Sequence, residues 1–316
     1  MAIFDTLRGL YHFLGDRVPK GLEAVPPRPR KQNLWRREGT ALVSKVGVSD
    51  LEASLAKAID LLGGLDKLVS TGDRVMVKPN FNSPDPPPGS TDLVFLQAVI
   101  ELLKQVGARV QVGESSGALW RPTRVTLGKV SLPELLAKLG VELVIFEDRP
   151  RDWVRVKIEG DYLRWTMMPR SAYEADKLVY LPCLKTHSVA RFSGAIKLSA
   201  GFTHPGQRRF HHRGKLEEKL AEINLAWQPD LIIMDGRKAF VSGGPTRGEV
   251  VEPGLIMASG DIVALDVEAL KVLLSYKGRN RLPADPWQLP QIATALKHGL
   301  GTREYRVVTE AEADRS

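Results

Sequence analysis

The sequence predicts an α/β protein, a largely parallel sheet with helices on both faces, Rossmann-like, built as one extended sheet or as two lobes with a cleft between them. Three observations lead there. From residue 40 onward, short apolar runs of strand length alternate with segments of helical periodicity, mainly in the order β-α-β-α. Helical segments open on capping signatures, and several strands run straight into short polar loops. The chain has 316 residues, 43% hydrophobic and 26% charged, enough for a sizeable core and too apolar for a disordered chain.

Taken in order, residues 3 to 17 read as a short amphipathic helix, with Ile3, Leu7, Leu10, Leu14 and Val18 near helical spacing. Pro19, Pro26, Pro27 and Pro29 break that pattern, so residues 1–39 form an arm on a Pro-rich linker, suited to docking on the body or on a second copy of the chain. Ser49 and Glu52 form a capping-box pair opening a helix over 50–62. Val75 to Val77 is a strand, Thr91 opens a helix to about Gln105, and Arg109 to Val112 is the next strand. Ser131 and Glu134 repeat the capping signature before a helix ending near Gly140, and strand Val141 to Phe146 follows. Residues 153 to 168 alternate as a hairpin turning at Gly160-Asp161. Lys177 to Leu181, Leu231 to Met234 and Gly254 to Ala258 complete the strands, the last leading into a helix over 262–275. Residues 40–280 thus form the α/β domain, and 281–316 a C-terminal helix and tail.

Composition excludes several functions. The single cysteine, Cys183, allows no intramolecular disulfide and no single-chain iron–sulfur cluster or Cys₄ zinc site. No apolar run reaches the roughly 18 residues of a transmembrane helix, and the first residues lack a secretory h-region, so a cytoplasmic protein is expected. The net charge of +8 favours anionic partners. One basic concentration, Arg28 to Arg37, falls in the linker and is expected to be solvated. The other, Arg208 to Lys215, lacks interleaved aromatics apart from Phe210, which argues against nucleic acid.

Five polar loops follow strands: Lys78-Pro79-Asn80, Gly113 to Gly117, Lys185-Thr186-His187, Asp235-Gly236-Arg237 and Ser259-Gly260-Asp261. In an open parallel sheet such loops share the carboxyl edge, where ligands bind. They are therefore expected to converge on one site for a small anion, with Lys78, Asn80, Glu114, Ser115, Asp235 and Asp261 among its binding residues. Four of six histidines, His187, His204, His211 and His212, cluster with Lys185, Arg191, Lys197 and Arg208. Imidazoles could ligate a metal through His187, His211 and His212, while the cations clamp carboxylate or phosphate. Gly243, Gly244 and Thr246 belong to a glycine-rich loop able to cradle an anion. The candidate catalytic groups are His187 as general acid or base, Lys197 as electrostatic or covalent anchor, and Lys185.

These landmarks resemble the domain-of-unknown-function 362 family: Asp73 to Asn80, Val112 to Ser115, Leu181 to His187, Gly194 to Lys197 with Gly201, Met234 to Gly236, Gly243 to Gly248, and Ser259 to Asp266. Relatives usually place an asparagine after the lysine, where this chain has Leu198, and many carry a ferredoxin-like module that one cysteine cannot supply. The segment His187 to Lys197 is also similar to the lactate racemase family, with its histidine and lysine at the same interval. That similarity implies a covalent nickel-pincer nucleotide on Lys197, a nickel ligand at His211 or His212, and hydride-transfer chemistry on 2-hydroxy acids. A non-catalytic binding or assembly protein, using the cationic cleft and the N-terminal arm, is the alternative.

Overall fold

A computed structural model describes residues 19–116, 122–149 and 151–313; the helix expected over 3–17 lies outside the described residues. One twelve-stranded sheet dominates. Its continuous path runs Glu142–Ile145, Arg109–Glu114, Arg74–Lys78, Lys177–Tyr180, Leu231–Gly243, Leu255–Ser259, Thr40–Gly47 and Tyr305–Val308. The first five are mutually parallel. Chain order moves outward from Arg74–Lys78 on one side and from Lys177–Tyr180 on the other, so the winding reverses between these two strands. That reversal opens a crevice at their carboxyl ends.

The alternation of side chains along each strand divides the core. Val75, Val77, Val179, Leu231 and Ile233 face one hydrophobic layer. Met76, Leu178, Tyr180, Ile232 and Met234 face the other. Helices Leu51–Asp60, Leu93–Gln105 and Leu132–Leu139 cover the first layer, and Leu216–Ile223, Ile262–Leu274 and Pro290–Lys297 the second. The doubly covered sheet explains why its strands read as continuous apolar runs. Trp153–Lys157 and Trp165–Pro169 form the expected hairpin in a separate three-stranded sheet.

Several local expectations are corrected by neighbouring donors and acceptors. Asp50, not Ser49, caps the first helix by accepting from Ala53 N at 2.8 Å. Asp92 caps the next, while Thr91 Oγ1 instead accepts from Asn80 N at 2.7 Å and holds the loop after the Arg74–Lys78 strand. Ser131 takes a left-handed backbone and makes no side-chain cap bond. The segment Lys185-Thr186-His187 is a strand rather than a loop: Cys183–His187 pairs parallel with Leu231–Gly243 and folds back onto Arg191–Ser193. The basic linker is not free either. Ala24–Val25 pairs with the Trp153–Lys157 strand, Arg28 donates to Ala172 O and Tyr173 O, and Trp35 is buried with its Nε1 on Asp230 O.

Glu222 ties the hairpin to the second layer. Its carboxylate, wholly buried, accepts from the backbone N–H of Asp161, Tyr162 and Leu163 at 2.7–3.1 Å. Glu222→Ala strands these amides and should cost about 3 kcal/mol, read as a lower denaturant midpoint with unchanged slope.

Candidate functional site

The crevice is roofed by the turn of chain from Gly194 to His211, and Asp266 sets its start. This carboxylate, buried within the helix Ile262–Leu274, accepts from Ala195 N at 2.7 Å and Ile196 N at 2.9 Å. A side chain at Gly194 would collide with it, so glycine is required there. The short helix Ala195–Leu198 then presents Lys197. Tyr180 Oη lies 3.1 Å from Ser199 Oγ, which fastens the roof to the end of a central strand.

Beneath it the expected residues divide into those tied up by the protein and those left open. Lys78 is buried, donating to Pro79 O at 2.7 Å and to Glu114, whose other oxygen accepts from Phe81 N at 2.8 Å. This buried ion pair braces two strand ends. Ser115 Oγ bonds both Glu147 and Arg208, and Arg208 also donates to Ser115 O, Thr203 O and Gly201 O. Burial pushes the Glu147 carboxyl up, against the pull of Arg208, and its Oε2 is buried without a hydrogen-bond partner. Lys185, equally buried, donates to Gly89 O at 2.6 Å and Pro245 O at 3.2 Å, clamping two loops. Arg191 is held by Glu217 through bonds of 2.8–3.1 Å.

Lys197 differs from these cations. Its ammonium has no hydrogen-bond acceptor among the described residues, yet burial, reinforced by Lys185 and Arg208, pushes its pKa down to about 7. His187 stands close enough to feel Lys197, Lys185 and His212, and burial above all pulls it down to about 2. Its Nδ1 accepts from Val189 N and Ala190 N, both at 3.1 Å, so the neutral ring carries its proton on Nε2. With Nδ1 accepting, His187 presents its Nε2–H as a hydrogen-bond donor at neutral pH. Half-exposed His212 is also lowered, by burial and then by Lys197.

Two expected members leave the site. The strand Leu255–Ser259 runs antiparallel to its neighbour, which carries Ser259-Gly260-Asp261 to the opposite edge of the sheet. There Asp261 caps the following helix through Val263 N and Ala264 N. Asp235 pairs with Arg237 at 2.8 Å and lines a separate hollow of about 500 Å³ with Cys183 and Pro86 to Pro88. The Gly243 to Thr246 loop is a hairpin turn with Gly243 and Gly244 at positive φ. Gly244 N donates to Arg247 O, and Gly244 packs so tightly on Thr186 O that no side chain would fit, so glycine here serves close packing.

The expected metal set does not assemble. Among the described residues, one group of three metal-type side chains has its donor atoms within 4.8 Å, and it is Asp161, Glu222 and His298, away from the crevice. His187, His211 and His212 do not gather. His204 is also structural: it caps Pro205–His211 through Gly206 N and packs edge-on against Trp153 at 4.8 Å. No group of three metal-type side chains forms around Lys197 among the described residues, and His187 and His212 are the imidazoles that feel its charge.

The buried imidazoles have a measurable consequence. Burial lowers His204 to about 4 and His211 to about 3, with Arg208 adding to both. The unfolded chain takes up protons below its ordinary histidine value near 6.5 while the folded one resists, so stability falls as pH drops from there toward 3. Each histidine contributes up to about 1.4 kcal/mol per pH unit. His211→Asn should flatten the fall of the thermal midpoint between pH 6.5 and 4.

Together these features define a doubly wound α/β protein with a cationic crevice at the switch point of its sheet. The chain belongs to the family described as Domain of unknown function (DUF362), whose model matches residues 75–271. It is 29% identical over 258 residues to Thylakoid-associated protein sll1697 of Synechocystis sp. (strain ATCC 27184 / PCC 6803 / Kazusa), covering 79% of this chain and 75% of that protein. Among solved structures it is similar to the lactate racemase apoprotein of Thermoanaerobacterium thermosaccharolyticum, with 14% identity, a TM-score of 0.38 and coverage of 78% of this chain. The chain spans 60% of that racemase chain. No helix among the described residues is long and apolar enough to cross a membrane.

Proposed function

We propose that the protein binds a small carboxylate or phosphate at Lys197, and that it is an enzyme or descends from one. A single observation carries this reading: among the described residues, Lys197 is the crevice lysine without a protein acceptor, while Lys78 and Lys185 are satisfied. A partly buried cation surrounded by like charge is relieved by an anion. Lys197 contacts the ligand, the Nε2–H of His187 donates to it, and Lys185 and Arg208 supply field without leaving their protein partners. Because Lys197 loses its proton near neutrality, its amine, and not His187, is the group suited to accept a proton from a bound acid. The racemase-like hydride chemistry is not part of this proposal, which rests on anion binding alone. The cytoplasm is the compartment we propose, on the single cysteine.

Calorimetric titration at pH 6.5 with inorganic phosphate and with lactate tests the reading. Saturable binding of either, competitive between the two, supports it; no heat from both overturns it. The second reading, an assembly protein, is favoured by the name of the Synechocystis relative, a thylakoid-associated protein. Trp35 is seated in the body, so a chain starting at Pro19 keeps that packing. Loss of an oligomer on gel filtration of that shorter chain would favour assembly through the arm.

A further inference from the structure

We propose that the opposite, amino edge of the sheet holds a second binding site, for a phosphorylated small molecule. The antiparallel strand that takes Gly260 and Asp261 away from the crevice brings them to this edge. The basic connector crosses it, leaving a hollow of about 580 Å³ under residues 28–36. That volume lies in the range of small-molecule sites.

The walls are unbalanced in charge. Arg28, Arg30, Lys31, Arg36 and Lys177 line the hollow against two carboxylates, Asp230 and Asp261. Both carboxylates already have partners. Asp230 accepts from Leu178 N at 2.8 Å and pairs with Lys31 at 3.4 Å; Asp261 accepts from Val263 N, Ala264 N and Thr302 N. Arg36 feels the Asp261 carboxylate without a hydrogen bond to it, and the lining keeps an excess of positive charge. The side chains of Arg36 and Lys177 donate no hydrogen bond to any described residue.

A neutral donor points the same way. Asn33 also lines the hollow; its Oδ1 accepts from Trp35 N at 2.9 Å, but its Nδ2 is buried with no acceptor. Buried amide donors are nearly always paired, so an orphan in the wall of a cationic hollow calls for an external oxygen. Two cations without a hydrogen-bonding acceptor among the described residues and one orphaned amide are the donor set a phosphate group satisfies. An adjoining hollow of about 380 Å³ shares Arg28, Lys31 and Lys177, leaving room for a ligand longer than one phosphate. The cations sit in a concavity and not on a flat face, which favours a small polyanion over a membrane or a nucleic-acid duplex.

The site is tested with inorganic pyrophosphate titrated into full-length Lys197→Ala protein, in which the crevice is silenced. One binding event is expected, weakened at least tenfold when Arg36→Ala and Lys177→Ala are added. The thermal midpoint should stay unchanged, because neither side chain gives up a hydrogen bond. No binding to the Lys197→Ala protein, or binding indifferent to Arg36 and Lys177, overturns the proposal. Co-sedimentation with anionic phospholipid vesicles that depends on these two residues, without pyrophosphate binding, would overturn it in favour of a membrane face. The Lys197 reading fails separately, if the unsubstituted protein and Lys197→Ala bind phosphate alike.

Discussion

Lys197→Ala is expected to weaken inorganic phosphate binding at pH 6.5 at least a hundredfold while leaving the fold intact. An ion pair formed by a partly desolvated ammonium is worth up to about 3 kcal/mol, which is about a hundredfold in affinity. Stability should rise, not fall. Lys197 has its pKa lowered by the fold, so burying its charged form costs free energy at neutral pH, and that cost fades only as pH climbs from about 7 to the unfolded value near 10.5. Removing the amine removes the cost, and the thermal midpoint at pH 7 should increase. A variant that unfolds would instead assign Lys197 to the core.

The same residue fixes the pH dependence of binding. Only the protonated amine attracts an anion, and in the empty site it loses its proton around pH 7. Affinity for lactate, which stays ionised throughout, should therefore drop about thirty-fold between pH 6 and pH 8.5. Lys197→Arg separates charge from proton loss, because a guanidinium stays charged throughout this range. Binding should survive in that variant and lose its pH dependence. A pH-independent unsubstituted protein would contradict the assignment of Lys197 as the anchoring cation.

Asp266→Ala carries the second large effect, about 4 kcal/mol of lost stability, from two buried amides without acceptors and the cavity left behind. It should also impair phosphate binding, since Ala195 N and Ile196 N are what place Lys197. Asp266→Asn is the informative companion. Burial pushes the Asp266 carboxyl up to about 7, against the backbone donors, so the folded protein retains a proton there that the unfolded chain releases near 3.8. The stability linked to that proton is present below 3.8 and is lost as pH rises to 7, opposing the histidine trend in the same window. Asp266→Asn removes the opposing slope, so stability should rise more steeply with pH between 4 and 7. A slope unchanged from the unsubstituted protein would show that Asp266 is ionised throughout.

Asp266 was visible in the sequence without its role being legible. It stands in Ile262 to Leu274, whose remaining residues are mostly apolar, and an acid on the buried stripe of such a helix is a signal of a specific polar partner. That the partner is the backbone ahead of Lys197, 70 residues away, cannot be read from periodicity. Arg191 and Lys185 illustrate the converse. Both looked like ligand-binding cations, and both are engaged by acceptors that local pattern does not reveal, Glu217 for one and the carbonyls of Gly89 and Pro245 for the other.

Strand and helix order, the α/β class and the carboxyl-edge location of Lys78, Glu114 and Ser115 follow from alternation, capping and polar strand ends, because these are properties of neighbouring residues. The direction of Leu255–Ser259, the strand made by Cys183–His187 and the anchoring of residues 19–39 do not. Each depends on which distant backbone supplies the matching donors and acceptors, as when Trp35 finds Asp230 O. Strand direction then decided the site: reversing one strand moved Asp261 to the far edge of the sheet. The free energy of burying charge decided the rest, since saturation by remote carbonyls took Lys185 out of play and its absence left Lys197 open.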